Sequence, residues 1–175
     1  MVYVITGGPG FGKTSVIDLL QKKGFQVCSE GARDLLVPDE KSEDRKAISP
    51  IPADFEQQVA ARRIGFLQSV HQDTIAFSDR GLPDQIAYSW YKSKIPSKFI
   101  EEAVLSNKYA PVVFLTPPWE KIYLTDDVRK ENFAEASSIH MHIVMAYRKY
   151  GYKLIDIPQL DPQKRVGFIL DFLRY

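Results

Sequence analysis

The stretch from Val2 to Ile17 constrains this chain more than any other. Gly7, Gly12, Lys13 and Thr14 satisfy G-x-x-x-x-G-K-[ST], with an apolar strand-like run before the motif and a helix-forming pattern after it, the context the motif requires. A triphosphate held there must be wrapped closely by backbone N–H groups, and side chains would obstruct that approach. Glycine at positions 7, 8, 10 and 12 permits positive φ and close contact. Successive amides can then form an anion nest at the positive end of the helix that starts near Lys13, while Pro9 stiffens the loop. The residues expected to hold the nucleotide are therefore Gly8, Pro9, Gly10, Phe11, Gly12, Lys13, Thr14 and Ser15. Lys13 supplies a mobile charge for the β- and γ-phosphates, and the Thr14 hydroxyl is placed to ligate Mg²⁺.

The chain has 175 residues, of which 45% are hydrophobic, a size that suits one domain over 1–175 with a substantial core. No apolar run approaches the roughly 18 residues of a membrane span. The amino terminus opens directly on a strand with no secretory leader, and the lone Cys28 has no partner for an internal disulfide. Both point to a reducing cytoplasm. A formal net charge of +1 provides no global basic field for nucleic acid, so a polynucleotide substrate is not favoured.

Along the chain, apolar positions at Val16, Ile17, Leu19 and Leu20 predict a helix over 13–23, stopped by Gly24. Phe25–Cys28 reads as a second strand that delivers Glu30 and Arg33 to its carboxyl end. A charged, proline-punctuated loop over 37–52 precedes a long amphipathic helix over 53–72, in which Arg62 and Arg63 face either solvent or the cleft. Thr74–Asp79 is a third, buried strand ending in Asp79 and Arg80. Leu82–Lys92 and Ile95–Asn107 are helical, Ala110–Thr116 is a near-continuous apolar strand of the central parallel kind, and Tyr152–Pro158 is the fifth strand, between helices over 131–150 and 161–173.

Each strand is followed by helix, the pattern of a parallel α/β sheet covered on both faces. Ligands of such sheets bind outside the carboxyl ends of the strands, where Glu30, Arg33, Asp79 and Arg80 converge. Asp79 at that edge can hold a water on Mg²⁺ or accept a proton from an attacking hydroxyl, and the planar fork of Arg80 can clamp a phosphate. The alternative is an acid capping the next helix beside an arginine paired with it. The segment at about 119–131 concentrates charges where a lid would lie, with Lys121, Arg129 and Lys130 as candidates to close over phosphates. His140 and His142 lie about 200° apart around one helix and cannot chelate a single metal.

The loop Gly7–Thr14, the segment Ser29-Glu30-Gly-Ala-Arg33, the strand end Asp79-Arg80-Gly81, and Tyr123-x-x-Asp126-x-x-Arg129-x-Glu131 leading to Tyr150-Gly151-Tyr152 together resemble the AAA-domain ATPase-like proteins related to ribosylnicotinamide kinases. The resemblance covers almost the whole chain and implies a P-loop three-layer α/β/α sandwich like those of nucleoside and nucleoside monophosphate kinases, with a five-stranded parallel sheet in the order 2-3-1-4-5. It implies ATP and Mg²⁺ as cofactors, Glu30 or Asp79 as general base or metal-water holder, Arg33 and Arg80 fixing the acceptor, Arg129 as a lid arginine, and Pro158 to Leu160 at the nucleotide base. The lid is short and poor in arginine, which fits a neutral hydroxyl acceptor better than a phosphorylated one.

The leading expectation is thus transfer of the γ-phosphoryl group of ATP to a small hydroxyl-bearing, nucleoside-like acceptor, with Lys13, Glu30, Asp79, Arg80 and Arg129 as the catalytic set and Thr14 and Asp79 at the metal. The competing expectation is a nucleotide-binding regulatory module or ATPase with no small-molecule acceptor. A polynucleotide end kinase is a third.

Overall fold

The computed structural model describes residues 1–29, 54–123 and 131–174. Five strands, β1 (Val2–Thr6), β2 (Gln26–Cys28), β3 (Ala76–Asp79), β4 (Val112–Leu115) and β5 (Lys153–Asp156), form one parallel sheet in the order β2-β3-β1-β4-β5. This is the order implied by the resemblance. Among the described residues six helices surround it: α1 (Lys13–Lys22), α2 (Phe55–Ser69), α3 (Leu82–Tyr91), α4 (Lys98–Ser106), α5 (Phe133–Lys149) and α6 (Pro162–Phe172), with a short 3₁₀ turn at Glu120–Ile122.

The observed elements are shorter than the sequence pattern predicts by one to three residues at most ends, and at several helices a cap marks the boundary. Gly24, at φ 93°, ends α1 and its N–H reaches the carbonyl of Gln21. Asn132 opens α5 by accepting from the Glu135 N–H at 2.9 Å, while the Glu135 carboxylate accepts from the Asn132 N–H at 2.7 Å, so two otherwise orphaned helix-start donors are satisfied reciprocally. Asp161 and Ser97 likewise accept from backbone N–H groups at the starts of α6 and α4.

Alternation along the strands builds two cores. Val2, Val4, Ala76, Val113 and Leu115 pack with Leu82, Ile86, Ile139, Ile143 and Tyr147 on the face covered by α3 and α5. Ile5, Phe77 and Phe114 pack with Val16, Ile17, Leu20, Val166 and Ile169 on the face covered by α1 and α6. Register then decides which residues emerge together: Ile5 lies beside Asp79, Thr6 beside Leu115, Cys28 beside Ser78, and Leu115 beside Asp156. The carboxyl ends of all five strands therefore form one edge. Among the described residues no helix is long and apolar enough to cross a membrane.

Candidate active site

The glycine-rich loop leaves β1 at Thr6 and enters α1 at Lys13. Gly7, Gly10 and Gly12 have φ of 145°, 80° and 78°, as a nest of inward amides requires. Gly8 is different: its φ is not positive, and what demands glycine there is space. An added Cβ would stand 2.4 Å from the Phe11 ring and 2.5 Å from the Ala136 carbonyl. Gly12 occupies the position before α1, has no side chain to cap the helix, and no acidic residue sits in the first turn. The helix-start amides are thus left for an anion.

Lys13 is buried, and its ammonium donates to the carbonyls of Gly7 at 3.0 Å and Gly8 at 2.7 Å. Thr14 and Ser15 are exposed at the start of α1. Phe11 is fully buried, its ring within about 6 Å of Tyr123, Phe133 and His140. Pro9 and Gly10 are half-buried at the mouth of the loop.

Asp79 ends β3 and is buried beside the loop strand, in register with Ile5. Arg80 follows in the left-handed region at φ 65°, unusual for a residue other than glycine. Its N–H group donates to the Asp84 carboxylate at 3.0 Å and to the Gly7 carbonyl at 3.1 Å, and its guanidinium lies 5.4 Å from the centroid of the Tyr88 ring. The expected clamp arginine is therefore engaged with the glycine-rich loop's own backbone and with an acid one helical turn on. That acid, rather than Asp79, caps the next helix, accepting from the Gly81 N–H at 2.8 Å.

Asp84 is fully buried and receives Thr6 Oγ1 at 2.6 Å and Tyr147 Oη at 2.6 Å as well. Burial alone would raise its pKa; Arg80, then Arg63, the Gly81 N–H and the Thr6 hydroxyl outweigh it and hold the carboxyl below its usual range. Tyr147 is pushed well above the usual phenol range by its own burial and then by the charge of Asp84, so the phenol stays a donor.

The structure resolves the ambiguity at Arg62 and Arg63. Arg62 is exposed near Ser29, whereas Arg63 is buried and reaches Gln85 at 3.4 Å, and Gln85 in turn donates to the Glu56 carbonyl at 2.7 Å. On the opposite side of the loop, buried Arg165 of α6 donates to the Leu160 carbonyl at 2.8 Å and the Phe11 carbonyl at 3.4 Å, with its guanidinium 4.7 Å from the Trp119 ring centroid. Half-buried Pro158 begins the loop that carries Leu160, and Gln159 of that loop donates to the Pro118 carbonyl.

The predicted residues Gly8 to Ser15, Asp79 and Arg80 are thus brought to one edge of the sheet, and Pro158, whose carbonyl accepts from the Leu160 N–H, heads the loop that Arg165 holds at Leu160. Glu30, Arg33 and Arg129 lie outside the described residues, as does 124–130 of the lid-like segment; the flanks of that segment meet where Tyr123 Oη donates to the Glu131 carbonyl at 2.5 Å. Asp84, Tyr147, Gln85 and Arg165 were not assigned to the site by sequence, and Arg63 was left open between solvent and cleft. Only Asp84 carried a readable signal, an acid three residues after Gly81 with Pro83 between, the signature of a helix start. His140 and His142 turn to different rings, Phe11 and Tyr91.

A family model described as an AAA domain matches residues 2–165. The chain belongs to this AAA-domain family. No curated protein matches the AAA-domain chain by sequence. Among solved structures it is similar to a deoxyadenosine kinase from M. mycoides with bound dATP, at TM-score 0.62 and 16% identity over 100% of both chains. It is similar to a thymidylate kinase from Ehrlichia chaffeensis, at 0.60 and 16% over 98% of each chain. A thymidylate kinase from Candida albicans gives 0.62 and 10%, over 99% of this chain and 90% of that one. At these identities the likeness is one of fold, and the fold of this AAA-domain protein is that of the P-loop nucleoside and nucleotide kinases.

Proposed function

We propose that this AAA-domain protein is a kinase that moves the γ-phosphoryl group of ATP to a hydroxyl of a small, nucleoside-like acceptor. The observation that carries the reading is the loop Gly7–Thr14, with its left-handed glycines and buried Lys13, opening on the sheet edge that also presents Asp79. Solved structures of the same fold that are described as deoxyadenosine and thymidylate kinases support it.

Lys13 already binds backbone oxygen through a buried ammonium, and transferring that charge to phosphate oxygens would neutralise negative charge that builds in the transition state. The helix-start amides of α1 would orient the phosphates. The Thr14 hydroxyl and the Asp79 carboxylate are hard oxygen donors of the kind Mg²⁺ takes, and would hold it. Mg²⁺ bound there supplies charge neutralisation of the phosphates. Asp79, with Glu30 as the second acid, is the group proposed to take the acceptor's proton or hold the metal's water. Arg165, Trp119 and the loop from Pro158 to Leu160 are proposed to flank the nucleotide base, and Arg63 with Gln85 to face the acceptor side.

The test is ATP turnover with Mg²⁺ in the presence and absence of a panel of nucleosides and ribosylated bases, with Lys13→Ala as control. Lys13-dependent turnover that rises with one acceptor supports the kinase and names its substrate class. Tight ATP binding with turnover no faster than the Lys13 variant for every acceptor replaces it with a nucleotide-binding regulatory module.

A further inference from the structure

Asp84 joins four elements, β1, β3, α3 and α5. Its Oδ1 receives Thr6 from the end of β1 and Arg80 from the end of β3; its Oδ2 receives the Gly81 N–H before α3 and Tyr147 from α5. A buried ion pair of this kind is weak evidence for stability, since well-packed apolar residues often do as well. What such a pair does supply is direction, because the carboxylate aims one guanidinium nitrogen.

The same Arg80 nitrogen that meets Asp84 donates to the carbonyl of Gly7. Arg80 itself has little freedom: its N–H donates to the Ile5 carbonyl at 3.0 Å, its carbonyl accepts from Ser78 Oγ at 2.6 Å, and its backbone is left-handed. An unfavourable conformation persists where the surroundings over-determine it. Gly7 is also closed in by Thr116, the residue after β4, where an added Cβ would lie 2.4 Å from the carbonyl oxygen and from Oγ1. The first peptide of the loop is therefore gripped between Arg80 and Thr116.

We infer that Asp84 is a positioning residue of the nucleotide site, acting through Arg80 to hold the carbonyl of Gly7 in the orientation that lets the following amides form the phosphate nest. The inference rests on the triphosphate reading above. Lys13 also donates to the Gly7 carbonyl, and phosphate oxygens compete for that ammonium. Once Lys13 turns to phosphate, Arg80 remains as the donor on Gly7, so the loop keeps its shape while its lysine moves. Arg80 in this role touches the loop and not the reacting atoms.

The experiment compares wild type with Asp84→Asn and Tyr147→Phe. Asparagine keeps the shape and an acceptor for Arg80 but removes the charge that orients it. Binding of a non-hydrolysable ATP analogue, measured by calorimetry, is expected to weaken about tenfold in Asp84→Asn and about threefold in Tyr147→Phe, the scale of one hydrogen bond to a charged group and of one neutral donor. The ¹³C carbonyl resonance of Gly7, read without nucleotide, is expected to move in both. A purely structural role would lower the melting temperature and leave both readouts of the folded protein at their wild-type values, which would overturn the inference. Should Asp84→Asn not fold, Tyr147→Phe decides by the same two readouts. Wild-type binding of the analogue without transfer to any acceptor would remove the kinase reading and leave this one standing.

Discussion

The ring of Phe11, inside the glycine-rich loop, packs edge-on against the imidazole of His140 on α5, with ring centroids 5.9 Å apart. Tyr123 and Phe133 complete the contact, from the two flanks of the lid-like segment. The glycine-rich loop is thus seated, through one apolar side chain, on the helix that follows that segment.

This seat gives a pH dependence. Burial lowers the His140 pKa from 6.5 to about 4, with the Asp156 carboxylate opposing the shift and Lys13 adding to it. The unfolded chain binds a proton as pH falls through 6.5, and the folded chain does so only near pH 4. His140 therefore has no effect on stability above that window and subtracts from it progressively within the window, by on the order of 3 kcal/mol in total. Urea denaturation across the window should show a shallower pH slope for His140→Phe than for wild type. Equal slopes would mean that His140 is not held neutral.

Lys13→Ala should fold, since the side chain donates to the loop carbonyls of Gly7 and Gly8 and belongs to neither core cluster. Turnover should fall by about two to three orders of magnitude, the scale of removing one preorganised charge from a transition state. Thermal denaturation and steady-state kinetics, taken together, check this; a variant that turns over at the wild-type rate would remove Lys13 from the site.

Gly8→Ala should cost about 1–3 kcal/mol, the usual penalty for forcing a methyl group into filled space. The Ala136 carbonyl at 2.5 Å is backbone and cannot swing aside. Chemical denaturation reads the loss directly. A variant as stable as wild type would show that the loop and α5 stand further apart than described.

Arg165 is tested by a substitution that keeps its charge. Arg165→Lys retains a cation but not the planar face above Trp119 or the fork that reaches the Leu160 and Phe11 carbonyls. Stability should drop by about 1–2 kcal/mol, with a rise in the KM for triphosphate and an unchanged KM for the acceptor. An acceptor KM that rises instead would move Arg165 to the other half of the crevice.

The parallel sheet and the phosphate loop were legible in the sequence because their signals are local. Four fixed residues within eight positions, the alternation of apolar strands and the spacing of helix faces depend only on neighbours a few residues apart, which is the range over which backbone geometry is set. The same reasoning placed Asp79 and Arg80 at one sheet edge. It could not say what Arg80 would hold, nor which of Arg62 and Arg63 would be buried, since one residue of helix phase separates them and the neighbouring layer decides between them.

The buried polar groups around the loop were the part that only tertiary structure decided. Asp84 meets Thr6 across 78 positions and Tyr147 across 63, and Arg165 meets Phe11 across 154. A carboxylate on a helix reads as a solvated face until the chain folds around it. Its ionisation, its partners and its grip on Gly7 through Arg80 follow from donors that converge only when β1, β3, α3 and α5 pack together. The sequence by itself determined the sheet and the loop that faces its edge; which charged side chains hold that loop in place was set by packing, because pairing of buried charges depends on distances that no local pattern records.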